Sequence, residues 1–170
     1  MEKLWSPWRS QYIDSFNSAK SSNECIFCEM KDLNVQDTDN LLVDIDKNTF
    51  TVLNLYPYNN GHLMIIPFTH TNDFTSLDKN VYSEIMEKLQ LAQKALTKVF
   101  NPQGFNIGAN IGKVAGAGID EHIHFHIVPR WNGDANFMPV IGEVKVISQD
   151  LKETKIKLLK AYSELQSNAK

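Results

Sequence analysis

Cysteine is scarce in this chain: its 170 residues hold two, Cys25 and Cys28. Spaced as Cys25-Ile-Phe-Cys28, they stand too close to serve as a useful structural staple, so the fold has to rest on a packed core. In a cytosolic chain such a pair reads as half a zinc site or as a redox pair. An excess of positive charge is also missing. Lys and Arg number 17 against 20 Asp and Glu, for a net charge of −3. A general nucleic-acid binder needs a strongly basic face, and this balance argues against one while leaving small phosphate esters open. No apolar run approaches the ~18–20 residues of a membrane span. The opening stretch, Met1-Glu-Lys-Leu-Trp5-Ser-Pro-Trp8-Arg9, lacks the apolar centre of a secretory signal. The expectation is a cytoplasmic protein with neither a membrane nor a nucleic-acid partner.

What is present suits a single domain spanning 1–170, with 42% hydrophobic residues, no internal repeat and no dividing linker. Residues 1–24 read as an arm anchored by Trp5 and Trp8, 25–140 as the core, and 148–170 as a helical extension. Two β-type runs, 41–45 and 50–55, flank Asp46-Lys47-Asn48 and suggest a hairpin. The turn-rich Tyr56-Pro-Tyr58-Asn-Asn-Gly61 leads into a buried strand over 62–67. Val81, Ile85, Leu89, Ala92, Leu96 and Val99 recur every three or four residues, which predicts a long helix capped by Asp78. Residues 104–110 alternate as a strand should, with Phe105, Ile107 and Ala109 on one side. Leu151, Leu158, Tyr162 and Leu165 mark a terminal amphipathic helix with Ser148 near its start. The fold class expected is α+β, an antiparallel sheet with one long helix, an N-terminal arm and a C-terminal helix.

The five histidines are placed unevenly. His122, His124 and His126 alternate, so on a strand their rings share one face while Ile123, Phe125 and Ile127 share the other. Three imidazoles in a row have two chemical uses, metal binding and nucleophilic or acid–base chemistry at a phosphate. Gly112, Gly116 and Gly118 lie just upstream, where a loop can bring backbone N–H groups to a phosphate.

The run His122-Ile-His124-Phe-His126-Ile-Val-Pro129 resembles the signature of the histidine-triad superfamily. Asn54-Leu-Tyr-Pro57, Gly61-His62 and Ile66-Pro-Phe-Thr-His70 are similar to the nucleoside-binding segment of that family. Trp5-Ser-Pro-Trp8-Arg9, Pro129-Arg130-Trp131 and Gly133-Asp-Ala-Asn-Phe137 look like its branch of diadenosine tetraphosphate phosphorylases and hydrolases. The resemblance implies that His124 attacks the α-phosphorus to give a nucleotidylated intermediate, which phosphate or water then releases. A nucleoside phosphoramidase, a general nucleotide hydrolase and a non-catalytic nucleotide-binding module are the neighbouring readings. His126 is expected to hold the phosphate, and a backbone carbonyl near His122 to fix the His124 tautomer. Asn54 is expected at the ribose, unless it merely holds its turn, and His62 beside the nucleoside, unless it is a half-buried strand residue. Asn110, Gly116 and Gly118 are expected near the phosphates. Gly118 stands where some relatives carry Gln or Ser, so any contact there comes from the backbone. Tyr56 and Tyr58 are open between base stacking and plain turn residues, and Arg130 and Arg9 are candidates for a phosphate site. The resemblance further implies structural zinc on Cys25, Cys28, His70 and His122, Mg²⁺ accompanying the nucleotide, and a homodimer paired through the sheet and long helix.

Overall fold

The computed structural model describes residues 25–134 and 149–168. Trp5, Trp8, Arg9, Ser148 and the Ala135-Asn-Phe137 segment therefore lie outside the described residues. The elements run α1 (Ile26–Met30), β1 (Leu42–Ile45), β2 (Thr49–Leu53), β3 (Leu63–Pro67), α2 (Lys79–Phe100), β4 (Gly104–Ala109), β5 (Phe125–Arg130) and α3 (Leu151–Ser167). The strands form one antiparallel sheet in the order β1-β2-β3-β5-β4, an α+β architecture.

Strand periodicity sorts the core into two clusters. Val43, Leu53, Leu63, Ile65, Phe125 and Ile127 face α2 and α3, where Ile85, Leu89, Leu96, Leu158 and Tyr162 meet them. The intervening residues Leu42, Phe50, Val52, Met64 and Ile66 point to the opposite face and pack under Phe27 of α1. The sheet is thus covered on both sides, which explains why β2 and β3 are buried along their whole length.

Helix α2 follows the apolar spacing of the sequence. Asp78 takes the N-cap position but makes no capping bond with its side chain, a departure from expectation. At the other end Asn101 adopts a left-handed conformation (φ 46°) and its N–H bonds the Thr97 carbonyl, with Pro102 barring continuation. Helix α3 is capped by Asp150, which accepts from the N–H groups of Lys152 and Glu153. Among the described residues, buried charge is either paired or hydrogen-bonded. Lys88 Nζ lies 2.8 Å from Asp44 and 2.6 Å from Asp46, and Glu84 accepts from Asn48 and Thr49, so α2 grips the β1–β2 hairpin. The wholly buried Lys155 donates to the Asp37 and Asn40 carbonyls, tying α3 to the loop before β1.

Gly61 lets the chain enter β3 close over α2. Its φ is +73°, and a Cβ there would come within 2.9 Å of Leu96 Cδ2 and 3.0 Å of Phe100 Cε2. Gly61→Ala therefore adds left-handed strain (~1–2 kcal/mol) to overpacking (~1–3 kcal/mol). At roughly 2–4 °C per kcal/mol, the thermal midpoint is expected to fall by about 4–20 °C in a calorimetric melt. An unchanged midpoint would show that α2 is free to yield at this crossing.

Candidate active site and metal centre

The three alternating histidines share the face under α1, as alternation requires, but only His126 belongs to a strand. Strand β5 begins at Phe125, so the expectation of one strand carrying all three is corrected: His122 and His124 precede it. Pro67 accounts for the interruption. Strand β3 pairs with β5 only over Leu63↔Ile127, Met64↔His126 and Ile65↔Phe125. Proline has no N–H to extend that ladder. Its carbonyl is met instead by the His122 ring, whose Nε2 donates to it at 2.9 Å.

That bond determines which nitrogen of His122 bears the lone pair. With Nε2 donating, Nδ1 is unprotonated, and it faces Cys25 Sγ at 3.3 Å and Cys28 Sγ at 3.8 Å. His70 Nδ1 stands 3.3 Å from Cys28 Sγ. All four ligand atoms lie within 4.8 Å of one another. A tetrahedral zinc with ordinary Zn–S and Zn–N bonds separates its ligands by about 3.3–3.8 Å, so the set fits that ion. The four residues can hold a metal, and the His122–Pro67 bond supplies the outer support that orients a ligating imidazole. A full Cys₂His₂ set has no position left for substrate. The His122 ring thus faces the two cysteines, while its carbonyl turns toward His124.

His124 Nδ1 lies 2.9 Å from that carbonyl. Only the N–H form of Nδ1 can bond there, so the Nε2 of His124 carries the lone pair. Burial lowers the pKa of His124, against the opposing effect of the carbonyl bond, and so favours a neutral ring. Phe27 is packed against both imidazoles, its ring centroid 5.5 Å from His122 and 5.2 Å from His124. Cys25 at the N-cap of α1 and Cys28 within it are two of the possible metal ligands, and Phe27 between them is a wall for His124.

The third ring belongs to a second relay. The Tyr58 N–H donates to His62 Nδ1 (3.1 Å), so His62 is protonated on Nε2, which donates to His126 Nδ1 at 2.9 Å. The proton of His126 consequently sits on Nε2, a buried atom with no hydrogen-bond partner among the described residues. Burial, aided by neighbouring His124, pushes the His126 pKa down to about 4, so the ring is a neutral donor at physiological pH. Its edge stands beside the imidazole of His124, with centroids 4.8 Å apart. A lone pair and an unpartnered N–H are thus side by side, an arrangement able to attack a phosphorus and hold one of its oxygens.

The remaining expected residues surround this pair unevenly. His62 is fully buried rather than half-buried. Asn54 holds its turn, its Oδ1 accepting from the Tyr56 N–H at 2.9 Å while Nδ2 lies 3.4 Å from His62 Nδ1. Tyr58 stacks on His62 (centroids 4.8 Å, planes 28° apart), leaving about half its surface exposed. On β4, Gly108 pairs with His126, and a Cβ on it would meet nothing within 4 Å, so there is open space there. The same register places Asn110 next along that edge, against Gly116. Gly112 and Gly116 take positive φ values of 82° and 93°, closing a short helical turn over Lys113–Ala115 ahead of Gly118. Arg130 is already engaged, by Asp134 through Nε and Nη2 and by Asn106 through Nη1, which removes the reason to assign it to a phosphate site. Sequence reasoning passed over Phe27, Asn59 and Asp134. Phe27 had a signal in its apolar position between two cysteines, and Asp134 in the Gly133-Asp-Ala-Asn-Phe137 run; Asn59 had none beyond its turn-forming type.

With this geometry in view, likeness to known proteins is informative. The HIT domain family matches residues 35–133. The chain belongs to the HIT domain family. The matched segment includes all three alternating histidines and stops one residue short of Asp134. Among HIT relatives, an AP-4-A phosphorylase of Mycobacterium tuberculosis is 39% identical over 160 residues, covering 91% of this chain and 81% of the relative. An uncharacterized HIT-like protein of Methanocaldococcus jannaschii is 32% identical over 133 residues, 77% of this chain and 98% of its own. The crystal structure of a Zn-bound histidine triad family protein from Mycobacterium smegmatis superposes with a TM-score of 0.68 at 28% identity, covering 85% of this chain and 97% of that one. Among the described residues, no helix of this HIT protein is long and apolar enough to cross a membrane.

Proposed function

We propose that this HIT protein transfers a nucleotidyl group from a dinucleoside polyphosphate of the diadenosine tetraphosphate type, through a nucleotidylated His124. The observation that carries the reading is the pair of fixed tautomers: His124 Nδ1 spent on the His122 carbonyl, and His126 Nε2–H left without a partner beside it. The His124 Nε2 lone pair forms a bond to the α-phosphorus as the bridging P–O bond breaks. That bond's electron pair leaves with the released nucleotide, which takes a proton as its own acidity requires. His126 donates to a non-bridging oxygen, whose charge grows in the transition state. An acceptor oxygen then attacks the same phosphorus and returns the lone pair to His124. The 39% identity to an AP-4-A phosphorylase favours inorganic phosphate as that acceptor.

Cys25, Cys28, His70 and His122 would hold zinc as a structural ion. A homodimer is part of the reading as well. It is supported by the edge of β4, which no other described strand pairs and where Ile107 is half exposed, and by exposed Tyr82 and Met86 on α2.

The test is incubation of the purified protein with diadenosine tetraphosphate, with and without phosphate, followed by anion-exchange separation. ADP plus ATP formed only with phosphate is the expected result. AMP plus ATP in both samples would make water the acceptor and the protein a hydrolase. No product in either sample would overturn this substrate assignment.

A further inference from the structure

Away from the histidine rings, a dense polar cluster lies at the end of β5. Asp134 Oδ2 accepts from Arg130 Nε (2.7 Å), the Trp131 N–H (3.1 Å) and Asn59 Nδ2 (2.7 Å), while Oδ1 accepts from Arg130 Nη2 (2.8 Å). As an exposed ion pair, Arg130–Asp134 contributes little to stability. The bond to Asn59 carries more information. Asn59 Nδ2 also donates to the Pro129 carbonyl at 3.0 Å, and the Asn59 carbonyl accepts from the His62 N–H at 3.2 Å. Asp134 therefore holds the side chain of a residue whose main chain is bonded to His62. The preceding residue, Tyr58, supplies both the N–H on His62 Nδ1 and the ring stacked over that imidazole.

We propose that Asp134 is a positioning residue: through Asn59 it clamps the turn over 56–60 against β5, so that Tyr58 keeps His62 in one tautomer and His126 keeps its proton on the edge facing substrate. The inference rests on His126 acting as the phosphate donor. A neutral imidazole has two tautomers, and the bond made by one nitrogen selects between them. If the Tyr58 amide withdraws, Asn54 Nδ2, at the longer distance of 3.4 Å, still donates toward His62 Nδ1; once His62 takes its proton there, its Nε2 becomes an acceptor. His126 then bonds it through Nδ1–H and turns a bare lone pair toward the phosphate. A proton moved across His62 thus reverses the polarity of two rings. A carboxylate suits the clamp because two oxygens accept from a guanidinium, an amide and a carboxamide at once. It stays ionised there, since the hydrogen bonds from Arg130 hold it well below the usual carboxylate range.

The test compares Asp134→Asn and Asn59→Ala with the parent protein, each checked for folding by circular dichroism. Imidazole ¹⁵N NMR of the free protein reads the tautomers of His62 and His126. Both rings are expected to show a single Nε2–H form in the parent and averaged forms in both variants. Turnover of diadenosine tetraphosphate should fall about tenfold in kcat, with KM changed less than about twofold. Folded variants with parental His62 and His126 spectra would overturn the proposal. If Asp134→Asn does not fold, Asn59→Ala decides alone, because it leaves the Arg130–Asp134 pair in place. The spectra need no substrate, so a parent protein that leaves diadenosine tetraphosphate intact would defeat the proposed function and still allow the clamp to be judged.

Discussion

His124→Ala is expected to abolish turnover of diadenosine tetraphosphate, lowering kcat by about four orders of magnitude or more, with little change in thermal midpoint. The size follows from what is removed. Without an Nε2 lone pair no nitrogen–phosphorus bond can form, and a one-step attack by phosphate or water has to proceed without the covalent intermediate. The small effect on folding follows from the surroundings. Among the described residues the buried His124 ring makes one hydrogen bond, to the His122 carbonyl, and belongs to neither apolar cluster of the core. A single-turnover experiment with labelled nucleotide sharpens the test. The parent protein quenched in alkali should carry acid-labile label at His124, as a phosphoramidate does, and the variant none. Label that persisted in His124→Ala would move the nucleophile to another residue.

Removing the metal is the second large perturbation. A site saturated about a thousandfold above its dissociation constant stabilises the folded state by ~4 kcal/mol, which for a chain of this length corresponds to roughly 8–16 °C in midpoint. Dialysis against a strong chelator should therefore lower the melt by that amount, and added zinc should restore it. Cys28→Ser should melt like the chelated parent and gain little from zinc. Activity is expected to fall together with stability. Helix α1 is only five residues long, and it has no capping side chain to define it without its ligands. Phe27, which it carries, is the wall behind His124. Equal melting of chelated and zinc-loaded protein would show that Cys25 and Cys28 are simply packed thiols.

Much of this was legible in the chain, and the parts that were not share a cause. Strand and helix periodicities identified β3, α2 and the shared face of the histidines, because alternation and the three-to-four spacing record burial directly. The Cys-x-x-Cys pair announced ligand types, but nothing in it said that His70 and His122 would lie beside it; that depended on Pro67 ending the β3–β5 ladder. Asp78 looked like a cap and occupies that position without the bond. Arg130 looked available for phosphate because its partner, Asp134, offers no periodic signal four residues away on an irregular turn. Asn59 was hidden for the same reason. Contacts made across a loop by single polar side chains leave no period in a sequence.

The residue at position 122 has a divided role whose two halves separate chemically. Its ring faces the cysteines, whereas its carbonyl, which every amino acid possesses, orients the His124 ring. A side-chain replacement there can erase the metal centre without deleting the acceptor that orients His124. Within one peptide unit, then, the ring's approach to the cysteines and the carbonyl's hold on His124 can be varied separately.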